Sequence, residues 1–126
     1  MRELILDNNL LGDDIEFPVL PTLNTLTLNK NRVGNLDFFL ENAKRAFPKL
    51  TYLSLLGNTA CPNELVSKDE DDYQRYRYNV IFTLPLLRFL DSSPISDWVH
   101  LLYLSIYLSI YLSIYLSIYL SIYLSI

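Results

Sequence analysis

Leucine and asparagine recur at fixed intervals in the first half of the chain, in the pattern L-x-x-L-x-L-x-x-N-x-L. Three copies carry it: Met1, Leu4, Leu6, Asn9 and Leu11; Leu23, Leu26, Leu28, Asn31 and Val33; and Leu50, Leu53, Leu55, Asn58 and Ala60. A degenerate fourth copy starts with Leu87 and Leu90. In L-x-L the two leucines of a short strand point to one side and the residue between them to the other. Each copy therefore predicts a short strand with a buried leucine face.

The interval between copies predicts how these strands assemble. The copies begin at residues 1, 23, 50 and 87, and the first two intervals fall within the roughly 20–29 residues of a leucine-rich repeat. We therefore predict an α/β leucine-rich-repeat solenoid with short parallel strands, helical or irregular convex segments and a C-terminal helical cap. The alternative is three chance amphipathic strands in another fold. It leaves the shared asparagine unexplained, and also the apolar-Pro-x-Leu sequence that precedes the second, third and fourth strands.

The three asparagines of the repeat occupy the point where the chain must turn away from each strand. An asparagine side chain carries both donors and an acceptor. Stacked copies can therefore satisfy backbone groups of neighbouring turns. We predict a structural asparagine ladder made of Asn9, Asn31 and Asn58.

The segments between the strands predict two helices. Residues 36–47 place apolar side chains on one helical face, with Asn35 as the N-cap. Residues 67–70 have the spacing of a capping box, and the helix expected after them has its own apolar face. The members of the first face are Phe39, Leu40, Ala43 and Phe47, and those of the second are Tyr73, Tyr76, Val80, Ile81 and Leu84. Residues 15–20 are too short and proline-bounded for a helix, so we expect an irregular segment.

These elements divide the chain into three parts. Residues 1–60 hold the leucine-rich repeats, residues 61–100 the C-terminal cap, and residues 101–126 a low-complexity tail. Met1 stands where the pattern requires a leucine, so the first repeat is interpreted as truncated and earlier repeats or an N-terminal cap as missing.

The tail repeats the tetrapeptide YLSI six times over residues 103–126. The DNA tetranucleotide TATC, read in triplets, encodes Tyr-Leu-Ser-Ile in every forward frame, so we interpret the tail as a translated microsatellite. The alternative is a membrane anchor, since about 20 apolar residues span a bilayer. Half of the tail is tyrosine and serine, however, and tyrosine prefers the membrane interface. We therefore expect no membrane attachment unless the tail is a genuine anchor. An extended tail would be prone to aggregation, because it combines high β-propensity with no charge.

Charge and cysteine content narrow the choice of function. All 24 charged residues precede the tail, and the net charge of −4 argues against direct binding of nucleic acid, which requires a basic face. Cys61 is the sole cysteine, so no disulfide can form within the chain, and this fits a cytoplasmic or nuclear protein. We read Cys61 as a packing residue in preference to a reactive thiol. No metal-ligand cluster, catalytic Ser/His/Asp pattern or phosphate loop is visible, so we expect no enzyme, cofactor or small-molecule substrate.

A resemblance begins at Leu50. The string DYQRYRYNVIFTLPLLRFLD resembles the C-terminal cap of intracellular leucine-rich-repeat proteins, which is shared by spliceosomal and phosphatase-regulating families. The longer string from YLSLLGN through CPNEL to VIFTLP is similar to the leucine-rich melanocyte differentiation-associated family, over residues 1 to about 96. That resemblance implies a role in melanocyte differentiation and pigmentation through protein–protein contact, with no catalytic residues.

The register of the strands also predicts a binding surface. Solenoids bind partners on their concave face, where the outward strand residues form columns across the repeats. We predict another protein as the ligand and assign the face to Tyr52, Leu56, Phe89, Ile5, Thr27 and Asn29. Tyr52, Leu56 and Phe89 are apolar or aromatic at positions where the pattern requires only polarity, and exposed aromatic residues are typical interface anchors. For Phe89, packing under the cap is the alternative.

The functional prediction is thus a non-enzymatic protein-binding scaffold related to pigment-cell differentiation. Two alternatives remain open at this stage. One is a nuclear adaptor of the spliceosomal type, and the other is a membrane regulator anchored by the tail.

Overall fold

The computed structural model describes residues 1–62 and 70–125 and separates the chain into two compact units, Met1–Ile95 and Ser96–Ile126. The first unit holds one five-stranded sheet in the order β1-β2-β3-β4-β5. Its strands are β1 (Glu3–Ile5), β2 (Thr25–Thr27), β3 (Tyr52–Ser54), β4 (Phe89–Leu90) and β5 (Ser93–Pro94). The first four are parallel and the fifth pairs antiparallel with β4. One short parallel strand per repeat confirms the predicted leucine-rich-repeat fold class.

The leucines of the repeat form the core beneath this sheet. Their register aligns Leu4, Leu26, Leu53 and Leu90 across four strands. Leucines of the second, third and fourth copies are 0–2% exposed. Leu4 and Leu6 are only half-buried, since β1 is paired on one side and has no neighbouring repeat on the other. Burial of one leucine side chain contributes about 1.5–3 kcal/mol, so the stacked leucines are the main stabilising layer of this unit.

A left-handed residue precedes each asparagine of the repeat. Asn8, Lys30 and Gly57 have φ angles of 59°, 56° and 80° at equivalent positions. Asparagine and glycine adopt this conformation at low cost, whereas lysine is strained there. At Gly57 a Cβ atom would lie 3.0 Å from Cγ of Lys30 and 3.2 Å from its Cα, so a larger residue in this copy would also crowd Lys30. The tight turn is what brings each asparagine side chain back under its own strand.

The first helix, α1, spans Leu36–Ala46 and matches the predicted segment. The Asn35 side chain accepts a hydrogen bond from the backbone N–H of Phe38 at 3.1 Å, which confirms the predicted N-cap. Asp13 of the preceding turn accepts hydrogen bonds from the N–H groups of Gly34 and Asn35 at 3.0 Å, and this ties the helix start to the neighbouring repeat. The apolar face is buried as predicted.

The irregular segment 15–20 contributes one core residue that the sequence pattern did not indicate. Phe17 is buried and packs edge-on against Phe39 and Phe47, with ring centroids 6.2 and 5.1 Å apart. Such pairs stabilise beyond their buried area by about 0.5–1.5 kcal/mol. The segment thus fills the space that a helix would fill in a longer repeat.

The second helix, α2, spans Glu70–Thr83. The apolar face that the pattern predicted is buried. Its members Tyr76, Val80 and Ile81, and Leu84 just after the helix, are 0–5% exposed, and Tyr73 is half-buried. Arg77 reaches the end of the sheet, where it donates to the carbonyl of Leu90 at 3.2 Å and to that of Pro94 at 3.5 Å. The predicted capping box at residues 67–70 lies mostly outside the described residues, as do the last three residues of the CPNEL segment.

The second unit is dominated by one long helix, α3, over Asp97–Leu124. The tail is therefore helical, and not the extended segment whose aggregation the sequence suggested. A period of four residues favours this, because each side chain then meets an identical one a turn away. The rings of Tyr119 and Tyr123, for instance, stack with centroids 6.1 Å apart.

Candidate protein-binding face

The outward side chains of the sheet stand side by side because the strands are parallel and in register. Glu3, Thr25, Tyr52 and Phe89 are successive Cα partners, and Ile5, Thr27 and Ser54 form the next column. Adjacent strands lie about 4.8 Å apart, so a column of four residues covers roughly 14 Å. We call this surface the sheet face. A footprint of that size accommodates a helix or an extended peptide segment.

Apolar side chains on the sheet face are open to solvent. Ile5, Leu56 and Phe89 are 60%, 40% and 44% exposed. The ring of Tyr52 packs against that of Phe89 with centroids 5.9 Å apart, and its hydroxyl lies 3.5 Å from Oγ of Ser92. Phe89 is thus exposed beside Tyr52 and is not packed under the cap. Packing of the two rings against each other restricts the conformations open to both side chains.

The polar residues assigned to the sheet face are more engaged than the sequence suggested. The Asn29 Oδ1 atom accepts from the hydroxyl of Ser54 at 2.6 Å and from the N–H of Leu56 at 3.0 Å. Asn29 and Thr27 are half-buried, and the Thr27 hydroxyl is buried without a hydrogen bond among the described residues. Ser54 is only 1% exposed, so its place in an outward column does not make it a surface residue. The side chain of Asn29 contacts Ser54 and the backbone of Leu56, and so helps to cover Ser54.

A first ladder of side chains runs along this end of the sheet. Asp7 Oδ1 accepts from the N–H of Asn29 at 2.8 Å, and Asn29 Oδ1 accepts from that of Leu56, its equivalent one repeat later. Each of these oxygens thus gives a partner to a backbone N–H that lies two residues after the end of a strand. Asn29 therefore holds two repeats together and presents little free hydrogen-bonding capacity to a partner.

The asparagines of the repeat form a second ladder in the interior. Asn31 Nδ2 donates to the carbonyl of Leu6 at 2.9 Å, and Asn58 Nδ2 donates to that of Leu28 at 2.8 Å, each one repeat back. Their Oδ1 atoms accept from the N–H groups of Leu11 at 3.1 Å and Val33 at 3.0 Å. Asn9 has no earlier repeat beside it in the structure. It is exposed and donates only within its own turn, to the carbonyls of Leu6 at 2.9 Å and Asp7 at 3.2 Å.

Asp91 follows β4, the last of the parallel strands, on the cap side. In the earlier repeats the N–H after the strand donates to a backbone carbonyl of the next strand, as Leu28 does to Ser54 at 2.9 Å. Here the N–H of Leu55 donates instead to Asp91 Oδ1 at 2.7 Å. The backbone of Asp91 and Ser92 is left-handed, with φ of 53° and 70°, so the chain turns back into β5. The carboxylate thus replaces the carbonyl that this reversal removes.

The surroundings of Asp91 disfavour charge. Burial raises the pKa of its carboxyl group, although the hydrogen bond from Leu55 acts in the opposite direction. The Cys61 thiol donates to Asp91 Oδ2 at 3.5 Å, and burial together with this carboxylate raises the thiol pKa to about 12. Tyr76, 4% exposed, lies in the same cluster and has its pKa raised above the ordinary value by burial, then by Asp91. A thiol held in its neutral form is a poor nucleophile, which favours the packing role for Cys61.

Comparison with known proteins places the chain among leucine-rich proteins. No family model matches it. The human leucine-rich melanocyte differentiation-associated protein is 58% identical to it over 98 residues, which cover 76% of this chain and 50% of the human protein. This chain is similar to that protein. The resemblance expected from the sequence is therefore confirmed.

More distant relatives match the chain at lower identity. The U2 small nuclear ribonucleoprotein A' of Candida albicans is 34% identical over 95 residues, 74% of this chain and 35% of that protein. The acidic leucine-rich nuclear phosphoprotein 32 family member A of Drosophila melanogaster is 33% identical over 96 residues, 64% of this chain and 35% of that protein. The chain spans half or less of the length of these curated relatives. None of their names denotes an enzyme, and two of them denote nuclear proteins.

Two features of the site were missed from the sequence. The ladder of Asp7 and Asn29 has a visible signal, since an Asx residue stands two positions before the repeat asparagine in both copies. The third copy hides it, because Leu56 occupies that position. The role of Asp91 as a hydrogen-bond acceptor after the last parallel strand has no signal in the repeat itself, since it depends on the chain reversal into β5.

Proposed function

We propose that this chain is a protein-binding scaffold that captures its partner on the sheet face. The observation that carries the proposal is the apolar group of Ile5, Leu56 and Phe89, which are exposed, with the half-buried Tyr52 packed against Phe89 on the parallel sheet. Both ladders fix the backbone beneath these side chains, so the surface is preorganised. Aromatic and aliphatic anchors on a rigid support are the usual source of binding energy in protein interfaces.

The partner we propose is a folded helix or peptide segment of another protein, with no direct nucleic acid and no small-molecule substrate. The similarity to the human leucine-rich melanocyte differentiation-associated protein supports a role in melanocyte differentiation. We extend the proposal to pigmentation and to a location in the cytoplasm or nucleus, and the names of two nuclear relatives are consistent with the nucleus. The net charge of −4 supports a protein partner over nucleic acid, because no excess of positive charge is available to neutralise phosphates.

The test is capture of partners from pigment-cell lysate by the full chain and by three variants. Tyr52→Ala and Leu56→Ala remove anchors on the sheet face, whereas Tyr78→Ala removes an exposed ring of α2 and is the matched control. We expect the first two to reduce capture about tenfold or more, as hot-spot truncations do, and the control to leave it unchanged. Equal capture by all variants at equal melting temperature would place the binding surface elsewhere.

A second candidate is a nuclear adaptor of the spliceosomal type. The observation that favours it is the 34% identity to a U2 small nuclear ribonucleoprotein A'. Treating the lysate with RNase before capture separates the two candidates. Partners that are lost after RNase would support the nuclear adaptor, and partners that persist would support direct protein binding.

A further inference from the structure

The long helix of the second unit exposes apolar surface on all sides. From Leu104 to Leu124 the helix has a mean hydropathy of 1.6, and none of this segment is buried in the structure. Its leucine, isoleucine and tyrosine side chains there are 50–78% exposed. A helix that is apolar all round is normally found inside a large core or a membrane, because its side chains gain no favourable interaction with water.

The four-residue period explains why this helix has no polar side. One residue of an α-helix turns by about 100°, so a residue repeated every fourth position advances by about 40° per copy. Over six copies the row of serines advances by about 200° and so winds across roughly half of the circumference, while the tyrosine row winds on the opposite side of the helix. The helix therefore cannot lie flat at a membrane surface in the way an amphipathic helix does, nor can it pack one apolar face on a protein and turn a polar face to water.

The length and charge of the segment fit the hydrocarbon layer of a bilayer. Its 21 residues measure roughly 31 Å at 1.5 Å per residue, and the hydrocarbon core is about 30 Å thick. Residues 103–126 include no Asp, Glu, Lys or Arg. Serine hydroxyls in a helix can bond backbone carbonyls of the preceding turn, and Ser125, one residue past the helix, donates in this way to the carbonyl of Ile122 at 2.8 Å. The mean hydropathy of 1.6 already includes every hydroxyl group of the segment.

Against the expectation from the tyrosine and serine content of the tail, we propose that residues 104–124 insert into a lipid bilayer as a transmembrane helix, which would hold the repeat unit at a membrane surface. The occupant of the exposed helix is then the acyl chains of the lipid, and neither a second copy of the chain nor another protein is needed to cover it. This proposal is independent of the binding role of the sheet face, because the residues belong to different units.

The test is flotation of the full chain with vesicles of phosphatidylcholine alone, which carry no net charge and so exclude electrostatic attraction. Two variants place the same arginine at different depths: Ile114→Arg at the middle of the segment and Leu124→Arg at its end. Both side chains are exposed, so neither substitution disturbs packing in water. The melting curve of the repeat unit, measured for all three proteins, shows that each is folded.

We expect the unmodified chain to float with the vesicles. A charge at the bilayer centre should lower partitioning roughly a hundredfold, whereas a charge at the end reaches the headgroups and should change it by less than about threefold. Three results would overturn the proposal. In the first, the unmodified chain stays in the lipid-free fraction. In the second, the two variants float equally. In the third, sedimentation without lipid shows a defined oligomer, and this oligomer does not float when vesicles are added. The third result would identify a second copy as the occupant.

Discussion

Replacing Asn58 by alanine tests whether the interior ladder holds the repeats together. The substitution removes one accepted and two donated hydrogen bonds, which join Asn58 to Val33, Leu28 and Leu55. The two carbonyls keep another donor, since Leu28 also accepts from Asn31 Nδ2 and Leu55 from the N–H of residue 58. The N–H of Val33 keeps none among the described residues and is buried. An orphaned buried donor costs about 1–3 kcal/mol and each lost bond about 0.5–1.5 kcal/mol, so we expect a loss of roughly 2–6 kcal/mol.

Asn9 provides the matched control, because it is the same residue at the same position of the first repeat. Its two bonds are exposed and lie within its own turn, so water can replace both of them. Asn9→Ala should therefore lower the free energy of unfolding by less than about 1 kcal/mol. The assay is urea unfolding of the full chain, followed by circular dichroism. The slope of the free energy of unfolding against urea concentration should be the same for all variants, which shows that the unfolded state has not changed. Equal losses for the two alanine variants would refute the ladder as the reason for the repeat asparagine.

Four further outcomes follow from the packing and from the tail. Leu53→Ala should lower the free energy of unfolding, measured by urea titration, by about 2–5 kcal/mol, because it empties a fully buried position. Ser54→Ala loses one part-buried hydrogen bond and should lower it by about 0.5–1.5 kcal/mol. The reverse order of the two losses would contradict the strand register. Gly57→Ala should lower the melting temperature, since it combines a φ of +80° with a 3.0 Å contact, and an unchanged melting temperature would refute this account of the turn. Because the folded-state pKa of Asp91 is raised, its contribution to stability is fully present below the unfolded value of about 3.9 and is lost as the pH rises through the folded value. The unfolding midpoint of the unmodified chain, relative to Asp91→Asn, should therefore increase as the pH falls from about 7 to about 4, and a flat difference would show that the carboxyl group is not desolvated. Sequencing the DNA for residues 103–126 should reveal a TATC tract of variable length, and mixed synonymous codons would instead indicate that the peptide itself has been selected.

Much of the fold could be predicted because three copies of the repeat have the same pattern of leucine and asparagine. One Leu-x-Leu pair is compatible with many folds, but three pairs with the same following asparagine specify parallel strands in one register. The helix at residues 36–46 was equally clear, since its cap and its apolar face agree with each other. Phe17 could not be placed, because an irregular segment has no periodicity from which burial can be inferred. The tail was ambiguous for a related reason, since a period of four alternates on a strand and also stacks along a helix.

The candidate binding face was only partly predictable, because strand alternation gives the direction of a side chain and not its exposure to solvent. Alternation indicated that Ile5, Tyr52 and Phe89 point outward, and these side chains are open or partly open to solvent. It gave the same answer for Ser54, which the side chain of Asn29 helps to cover. Whether an outward polar residue is free depends on what its neighbours in adjacent repeats need, and that information is not contained in one repeat.

The central claim is that the partner is bound on the sheet face, and site-specific photocrosslinking tests it most directly. A photoreactive phenylalanine analogue replaces Phe89 in one protein and Tyr78 in another, since both rings are about half exposed but lie on the sheet and on α2, respectively. After irradiation in cell lysate, we predict a discrete crosslinked partner from position 89 and none from position 78. Crosslinking of the same partner from position 78 alone would contradict the account and would place the binding surface on the helices.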